Sequence, residues 1–205
     1  MSRHKAREVR HESTPEERAP IERDSLALWA RRLRVPLGIL LAGLFLVLAR
    51  PSWTALAIGG AVSFSGLLIR GWSAGHIVKN DRLATGGPYA YTRNPLYFGS
   101  FVLAFGLAAA AHWAFGLAVI SFWWIVYGPV IADERKSIRS LFPHSYPEWE
   151  RNVPAFLPRL TPWRPKGAET SSFSLERYLG HKEWQAALGY AAVVGWLALR
   201  ASGQF

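Results

Sequence analysis

The chain of 205 residues contains no cysteine and only one methionine, and only 19% of its residues are charged. The absence of cysteine excludes a disulfide framework, a thiolate metal site and a cysteine nucleophile. The charged fraction lies below the roughly 25% that is typical of soluble domains. Half of the residues are hydrophobic and ten are Trp, and this composition excludes a chain that is disordered throughout.

Five stretches of the sequence carry almost no charge. They comprise residues 35–49, 53–69, 95–111, 115–132 and 184–199. Each is slightly shorter than the roughly 20 residues that cross a bilayer without tilt, but Trp residues lie near several of the boundaries, as they do at membrane interfaces. We therefore predict an all-α integral membrane protein with about five transmembrane helices and a polar lobe in the cytoplasm.

The basic residues indicate an orientation for these spans. Of the 24 Lys and Arg residues, all but Arg50 and Arg200 fall on the same side when five spans alternate. The positive-inside rule then places the N-terminus and the polar segments in the cytoplasm, in a cytoplasmic or inner membrane. The net charge of +10 is explained by this topology and by contact with anionic lipid headgroups, so no nucleic-acid partner is expected.

The predicted organisation has five parts. Residues 1–24 form a disordered tail of mixed charge, and residues 25–34 form a basic interfacial helix. Residues 35–132 form a bundle of four spans, in which very short external connections give two tight helical hairpins. Residues 133–183 form the polar lobe, and residues 184–199 form the fifth membrane helix.

Two polar segments on the same predicted side of the membrane carry motifs. The first contains Gly87-Pro88-Tyr89 and Arg93-Asn94-Pro95-Leu96-Tyr97, and the second runs from Glu134 through Phe142, Tyr146 and Trp149 to Val153-Pro154 and Pro158. These residues resemble the membrane methyltransferases typified by isoprenylcysteine carboxyl methyltransferase and phospholipid methyltransferase. That family pairs G-x-Y-x-x-x-R-H-P-x-Y with a downstream E-E, then F-G-x-x-Y-x-x-Y and V-P-x-x-x-P. The resemblance covers roughly residues 76–158.

The resemblance implies S-adenosyl-L-methionine as the methyl donor, bound between the bundle and a lobe that covers it. It also implies a lipophilic methyl acceptor that enters from the bilayer, and no metal. Carried over by position, the cofactor-binding residues are Asp81, Arg82, Leu83, Ala84, Gly87, Tyr89, Arg93, Asn94, Pro95, Leu96, Tyr97 and Glu134. The catalytic candidates are Glu134, Arg93 and His76.

Three departures from the family pattern bear on the acceptor and the cofactor. The family's His in R-H-P is Asn94 here, and the His of an upstream stretch is Asp81. Residues 127–132 contain no basic residue to hold an acceptor carboxylate. We therefore leave the acceptor open as a carboxylate, an amine or a thiol, methylated by direct in-line displacement.

Each site residue also has a simpler structural role. Asn94-Pro95 is a preferred pair for beginning a helix, whose free N–H groups could equally bind the cofactor carboxylate. Arg93 could pair with that carboxylate or with Glu134, or only mark the span boundary. His76 is either a boundary residue or a base, and Tyr89 and Tyr97 are either interfacial aromatics or faces that stabilise a sulfonium.

Two alternative functions remain open from the sequence. A non-catalytic membrane scaffold would show the same spans and basic side, but it gives no reason for two matched motif segments. A sterol-reductase-like membrane oxidoreductase would share a polar lobe near its C-terminus. Specific binding of S-adenosyl-L-methionine would distinguish the methyltransferase from both. The oligomeric state is not predicted.

Overall fold

The computed structural model describes residues 25–77, 83–164 and 172–203, and the regular structure within these ranges is entirely helical. This confirms the predicted all-α class for the described part of the chain. The helices are α1 (Ser25–Leu48), α2 (Trp53–Ala74), α3 (Pro95–Ala111), α4 (Trp113–Phe122), α5 (Gly128–Leu141), α6 (Tyr146–Asn152), α7 (Leu175–Gly180) and α8 (Trp184–Ala201). The predicted tail, residues 1–24, lies outside the described residues.

The helices α4 and α5 form one continuous helix, Trp113–Leu141. They are joined by five residues in π-helical conformation, Trp123–Tyr127, after which the N–H of Gly128 donates to the Trp123 carbonyl. The wider turn directly precedes Pro129, which has no N–H to donate to the preceding turn. The helix therefore passes a proline without ending.

The structure places no boundary at residue 34. α1 runs unbroken from Ser25 to Leu48 with Pro36 inside it, so the segment predicted as a separate interfacial helix is the first part of a longer one. A proline in a helix removes one backbone hydrogen bond but does not have to end the helix. What changes near residue 35 is the charge of the helix and not its backbone.

A close contact between α2 and α3 forms the centre of the bundle. Gly59 and Gly66 of α2 face Gly106 and Gly99 of α3, and a Cβ atom at Gly66 would collide with the backbone of Gly99 and Leu103. Small residues allow two helix backbones to approach in this way in membrane proteins. The contact holds the end of α2 beside the beginning of α3, and the segment between them carries most of the predicted site.

α1 packs against α5 and the π-helical turn, and α2 has α3 as its main partner. The expected tight hairpin of α1 with α2 is therefore wrong, although their connection is short. Ala30 of α1 is buried against Val126 and Val130. Beside this contact, Arg31 donates to Asp133 of α5 at 2.9 Å, and the pair fixes α1 on that side.

α8 lies along α2 over most of its length. Three side-chain contacts join it to the rest of the bundle: Glu183 with Arg70 at 2.8 Å, Tyr190 with the Gly60 carbonyl at 3.0 Å, and Arg200 with the Ala49 carbonyl at 2.9 Å. Because the first contact lies at the end of α2 and the last just before its beginning, the two helices run antiparallel. With 18 residues, α8 is about 27 Å long.

Two helices are long and apolar enough to cross a membrane. They are α2, Trp53–Ala74, and the continuous helix Trp113–Leu141; Pro95–Ala111 is apolar but shorter. The two long helices support a membrane protein.

Candidate active site

The segment between α2 and α3 passes directly over a histidine. Its short 3-10 turn, Gly87–Ala90, begins with Gly87 at a φ of +57°, a backbone conformation that favours glycine. A Cβ atom at Gly87 would collide with the imidazole of His76. Both the backbone angle and the close approach therefore require glycine at this position.

His76 is buried, with 6% of its surface exposed. Its Nδ1 lies 2.9 Å from the carbonyl oxygen of Trp72. Because a carbonyl only accepts, Nδ1 carries the proton in this hydrogen bond, and Nε2 is the ring nitrogen that points away from it. The rings of Trp72 and Phe173 lie 6.1 and 6.0 Å from the imidazole. The structure thus places this candidate base in aromatic surroundings beside Gly87.

Tyr89 belongs to a buried aromatic cluster that joins the segment to the lobe. Its carbonyl accepts from Trp149 Nε1 at 3.0 Å, and Leu83 and Ala84 pack against the same cluster, whose buried members are Tyr89, Tyr146, Trp149 and Val153. Three of the predicted cofactor-binding residues are therefore brought together with the lobe motif.

The hydroxyl of Tyr89 is buried and has no hydrogen-bond partner among the described residues. Burial raises the pKa of Tyr89, and the negative charge of Glu183 raises it further. The phenol is therefore neutral at physiological pH and keeps its proton for donation. A buried polar atom without a partner is costly, so this hydroxyl is suited to meet a bound molecule.

Arg93 faces the lobe. Its guanidinium donates to Glu150 at 2.7 Å and to the Tyr146 hydroxyl at 2.9 Å, so the predicted alternative of a pair with Glu134 is wrong. The physical reason is the position of α6, which brings Glu150 within reach of the Arg93 guanidinium. The Arg93 side chain is only 9% exposed. The Nε of Arg93 is buried and has no partner within the described ranges.

α3 begins at Pro95, as the sequence predicted, but Asn94 does not cap it with its side chain. The amide Nδ2 of Asn94 instead donates to the carbonyl of Ala155 at 2.7 Å. Residue 94 therefore does occupy the N-cap position, as predicted, but the prediction that its side chain caps the helix is wrong. This amide connects the beginning of α3 to the segment that follows α6.

Tyr97 and Glu134 meet across α3 and α5. The Tyr97 hydroxyl donates to Glu134 Oε1 at 2.9 Å, and the Tyr97 ring contacts Tyr127 at 5.8 Å. Leu96 and Tyr97 occupy the first turn of α3, where backbone N–H groups have no acceptor within the helix. A carboxylate, a phenol and free N–H groups are thus gathered at the beginning of one helix.

Sequence reasoning missed Asp133, the neighbour of Glu134. Its side chain is 2% exposed and accepts from Arg31, while Oδ1 of Asp133 and Nε of Arg31 have no partner in the described part of the chain. A basic side chain does therefore reach Asp133, but it comes from α1 and not from residues 127–132. The signal in the sequence was the pair of adjacent acids at the end of an apolar run.

A second ion pair was also missed. The guanidinium of Arg70 donates to Glu183 from Nε at 3.0 Å and from Nη2 at 2.8 Å, and its Nη1 donates to the Ser100 hydroxyl. The signal in the sequence was a positive charge, Arg70, directly after the apolar run 53–69 and a negative charge, Glu183, directly before the run 184–199.

Two predicted cofactor-binding residues, Asp81 and Arg82, lie outside the described residues. Within the described ranges, no group of three or more His, Asp or Glu side chains is placed to hold a metal ion.

Comparison with known proteins gives one family match. The family model described as phospholipid methyltransferase matches residues 37–144, a range that includes Arg93, Asn94, Tyr97 and Glu134. The cobalt-zinc-cadmium resistance protein CzcN of Cupriavidus metallidurans is 31% identical over 168 residues, which cover 81% of this chain and 68% of that protein.

Two further relatives are similar at the same level. The nickel-cobalt-cadmium resistance protein NccN of Alcaligenes xylosoxydans xylosoxydans is 29% identical over 185 residues, 85% of this chain and 83% of that protein. The protein-S-isoprenylcysteine O-methyltransferase of Schizosaccharomyces pombe is 30% identical over 132 residues, 62% of this chain and 56% of that enzyme. No solved structure matches the chain.

Proposed function

Because this chain belongs to the phospholipid methyltransferase family, we propose that it is an S-adenosyl-L-methionine-dependent membrane methyltransferase that acts on a lipophilic acceptor. One observation carries the proposal. The matched range contains the first motif segment and the beginning of the second, and the fold brings the two together at Tyr97 and Glu134. A scaffold or a sterol-reductase-like oxidoreductase, the alternatives considered from the sequence, would leave the family match unexplained.

The residues present fit such a cofactor. The Tyr89 hydroxyl and Arg93 Nε are buried polar atoms without partners among the described residues, and polar groups of a bound donor would satisfy them. We propose that Leu83, Ala84 and Gly87 provide the backbone and apolar side of its pocket, and that Glu134 accepts hydrogen bonds from it. The free N–H groups of Leu96 and Tyr97 would bind its carboxylate, as helix N-termini bind anions.

When bound, S-adenosyl-L-methionine supplies a methyl group activated by a positively charged sulfur. The faces of Tyr89 and Tyr97 would stabilise that charge, as aromatic rings do for quaternary ammonium groups. The protein holds the acceptor in line and excludes water, which lowers the entropic part of the barrier. For an amine or thiol acceptor, His76 Nε2 or Glu134 would take the proton. The chain has no cysteine, so a cysteine-linked methyl intermediate is excluded.

We propose five membrane spans with the site on the cytoplasmic side. α1, α2, α3, the helix Trp113–Leu141 and α8 would be the spans. The antiparallel contacts of α8 with α2 support its crossing, because they extend from Arg70 to Ala49. The test is a C-terminal epitope tag on intact cells: the five-span topology requires that antibody reach it from outside, and a tag detected only after permeabilisation would contradict it.

The proposed activity is tested with methyl-labelled donor and a membrane lipid extract, followed by identification of the labelled product. Glu134→Gln keeps the shape of the side chain and removes its charge. We expect it to weaken donor binding at least tenfold in calorimetry, which corresponds to about 1.4 kcal/mol. Glu148→Gln, at an exposed position of α6, is the matched control. Unchanged affinity in the folded Glu134 variant would refute the role.

A second candidate function is a contribution to metal resistance, since two relatives are named for it. In our proposal this contribution depends on methyl transfer. A host strain that lacks the gene and carries Glu134→Gln should then lose both product formation and resistance to cobalt, zinc and cadmium. Resistance that survives in this variant would separate the two functions.

A further inference from the structure

The segment after α6 is apolar and exposed. Leu157 is 68% exposed and Leu160 is 99% exposed. Residues 151–164 contain three Arg and neither Asp nor Glu. Exposed aliphatic side chains beside cations are typical of segments that lie in a membrane interface.

This segment reaches the level of the apolar part of the spans. The ring of Phe156 lies 5.8 Å from that of Phe101 and 6.2 Å from that of Trp124. At 1.5 Å per residue, Phe101 is about 9 Å along α3 from its beginning, and Trp124 is about 14 Å along its helix from Asp133. Trp124 is 66% exposed and would face lipid. Phe156 therefore lies beside the hydrophobic section of the bundle and not above it.

The backbone of the segment is suited to a medium without water. Irregular backbone is tolerated at membrane depth only where its polar groups are satisfied. Pro154, Pro158 and Pro162 have no N–H to satisfy. The exposed part is also bonded to the segment before α3: the Ala155 carbonyl accepts from Asn94 Nδ2 at 2.7 Å, the Phe156 carbonyl from Thr92 Oγ1 at 2.9 Å, and the Tyr91 carbonyl from Arg159 N at 2.9 Å.

We propose that residues 155–160 form a loop inserted into the lipid leaflet on the side of the site, with Leu157 and Leu160 among the acyl chains and Arg151 and Arg164 at anionic headgroups. The partner is the lipid surface, because the loop continues the exposed apolar face of Trp124 and the charges within residues 151–164 are all positive. Insertion holds the lobe against the bilayer, with its Trp149 bonded to the Tyr89 carbonyl. The proposed donor site is thereby kept at the depth of a membrane-partitioning acceptor.

The test uses the absence of cysteine from the chain. Leu160→Cys and, as a control on the same lobe, Asn152→Cys are each labelled with a nitroxide in the full-length protein. Both positions are exposed, so neither substitution removes a buried contact. The proteins are reconstituted in phosphatidylcholine vesicles with and without phosphatidylglycerol, and collisions with oxygen and with a water-soluble nickel complex are measured.

We expect the label at position 160 to collide with oxygen several-fold more often than with the nickel complex, and the label at position 152 to show the reverse. The insertion at 160 should deepen when phosphatidylglycerol is present. Nickel accessibility at 160 equal to that at 152 would overturn the proposal. A label at 160 shielded from both reagents would also overturn it, because a protein would then cover the loop. Equal depth in both vesicles would overturn the role of the headgroups. These results do not depend on methyl transfer, so they leave the proposed function to its own test.

Discussion

Replacing Gly66 by alanine should loosen the contact on which the site depends. A Cβ atom at Gly66 would collide with backbone atoms of Leu103 and Gly99. A clash with backbone cannot be relieved by a change of rotamer, so the axes of α2 and α3 would have to separate. His76 lies just after α2 and Pro95 begins α3, and this separation would therefore shift the two sides of the site against each other.

The loss of stability expected for Gly66→Ala can be compared with that of a matched control, Gly189→Ala. Gly189 lies within α8, and a Cβ atom there would meet nothing within 4 Å. Both substitutions gain about 0.8–1 kcal/mol of helix propensity, and this gain cancels in their difference. Overpacking of a filled interior costs about 1–3 kcal/mol. We therefore expect Gly66→Ala to be about 1–3 kcal/mol less stable than Gly189→Ala.

The free energy of unfolding is measured by titration with sodium dodecyl sulfate in mixed micelles, and donor affinity is measured by calorimetry on the same samples. Gly66→Ala should lose both stability and affinity, and Gly189→Ala should lose neither. Equal stability of the two variants would refute the close contact of α2 with α3. Lower stability with unchanged donor affinity would show that the contact does not position the site.

Three further predictions concern single side chains. Glu183→Gln leaves the charge of Arg70 without its partner and should destabilise the protein by about 2 kcal/mol. This is less than the roughly 3–5 kcal/mol for breaking a fully buried pair, because the Arg70 side chain is 24% exposed. Unfolding titrations that match wild type would contradict this. The pKa of Tyr89 is raised in the folded state, so the folded protein holds the phenol proton at a pH where the unfolded chain releases it. The contribution of Tyr89 to the free energy of unfolding is therefore complete below about pH 10 and is lost as the pH rises further. Stability should thus fall less steeply above pH 10 in Tyr89→Phe than in wild type, and identical pH profiles would argue against the buried neutral phenol. Arg200→Gln removes hydrogen bonds to the Ala49 carbonyl at the end of α1 and should cost about 1 kcal/mol, with donor affinity unchanged as the sign that only the far end of the bundle is affected.

The sequence allowed the apolar helices and the beginning of α3 to be predicted, because both depend on local properties. An apolar run with few charges specifies a helix suited to lipid wherever it occurs. Pro95 fits the first helical turn because its missing N–H has no partner there in any case. These signals do not depend on residues distant in the chain.

The partners of the polar site residues could not be predicted in the same way. Arg93 pairs with Glu150, 57 residues away, and the choice between Glu150 and Glu134 depends on where α6 lies. The amide of Asn94 was equally able to cap α3 or to bind the Ala155 carbonyl. Periodicity and spacing do not encode such choices, since only the tertiary packing decides which acceptor is within reach.

The packing of α1 was also beyond local reasoning. A short connection suggested that α1 pairs with α2, yet its Arg31 bonds Asp133, 102 residues later. A short link limits the distance between two helix ends and leaves the direction of the helices free. The buried carboxylate decided that direction.

The ion pair of Arg70 with Glu183 has a consequence for biosynthesis. The two residues are 113 positions apart, so at 5–20 residues per second a ribosome needs on the order of ten seconds to make the second after the first. During that interval α2 carries a guanidinium at its end without its carboxylate, and the groove that α8 will fill is open to lipid. The bundle becomes complete only when α8 packs against α2, so a chain interrupted before Glu183 would leave the charge of Arg70 without its carboxylate partner.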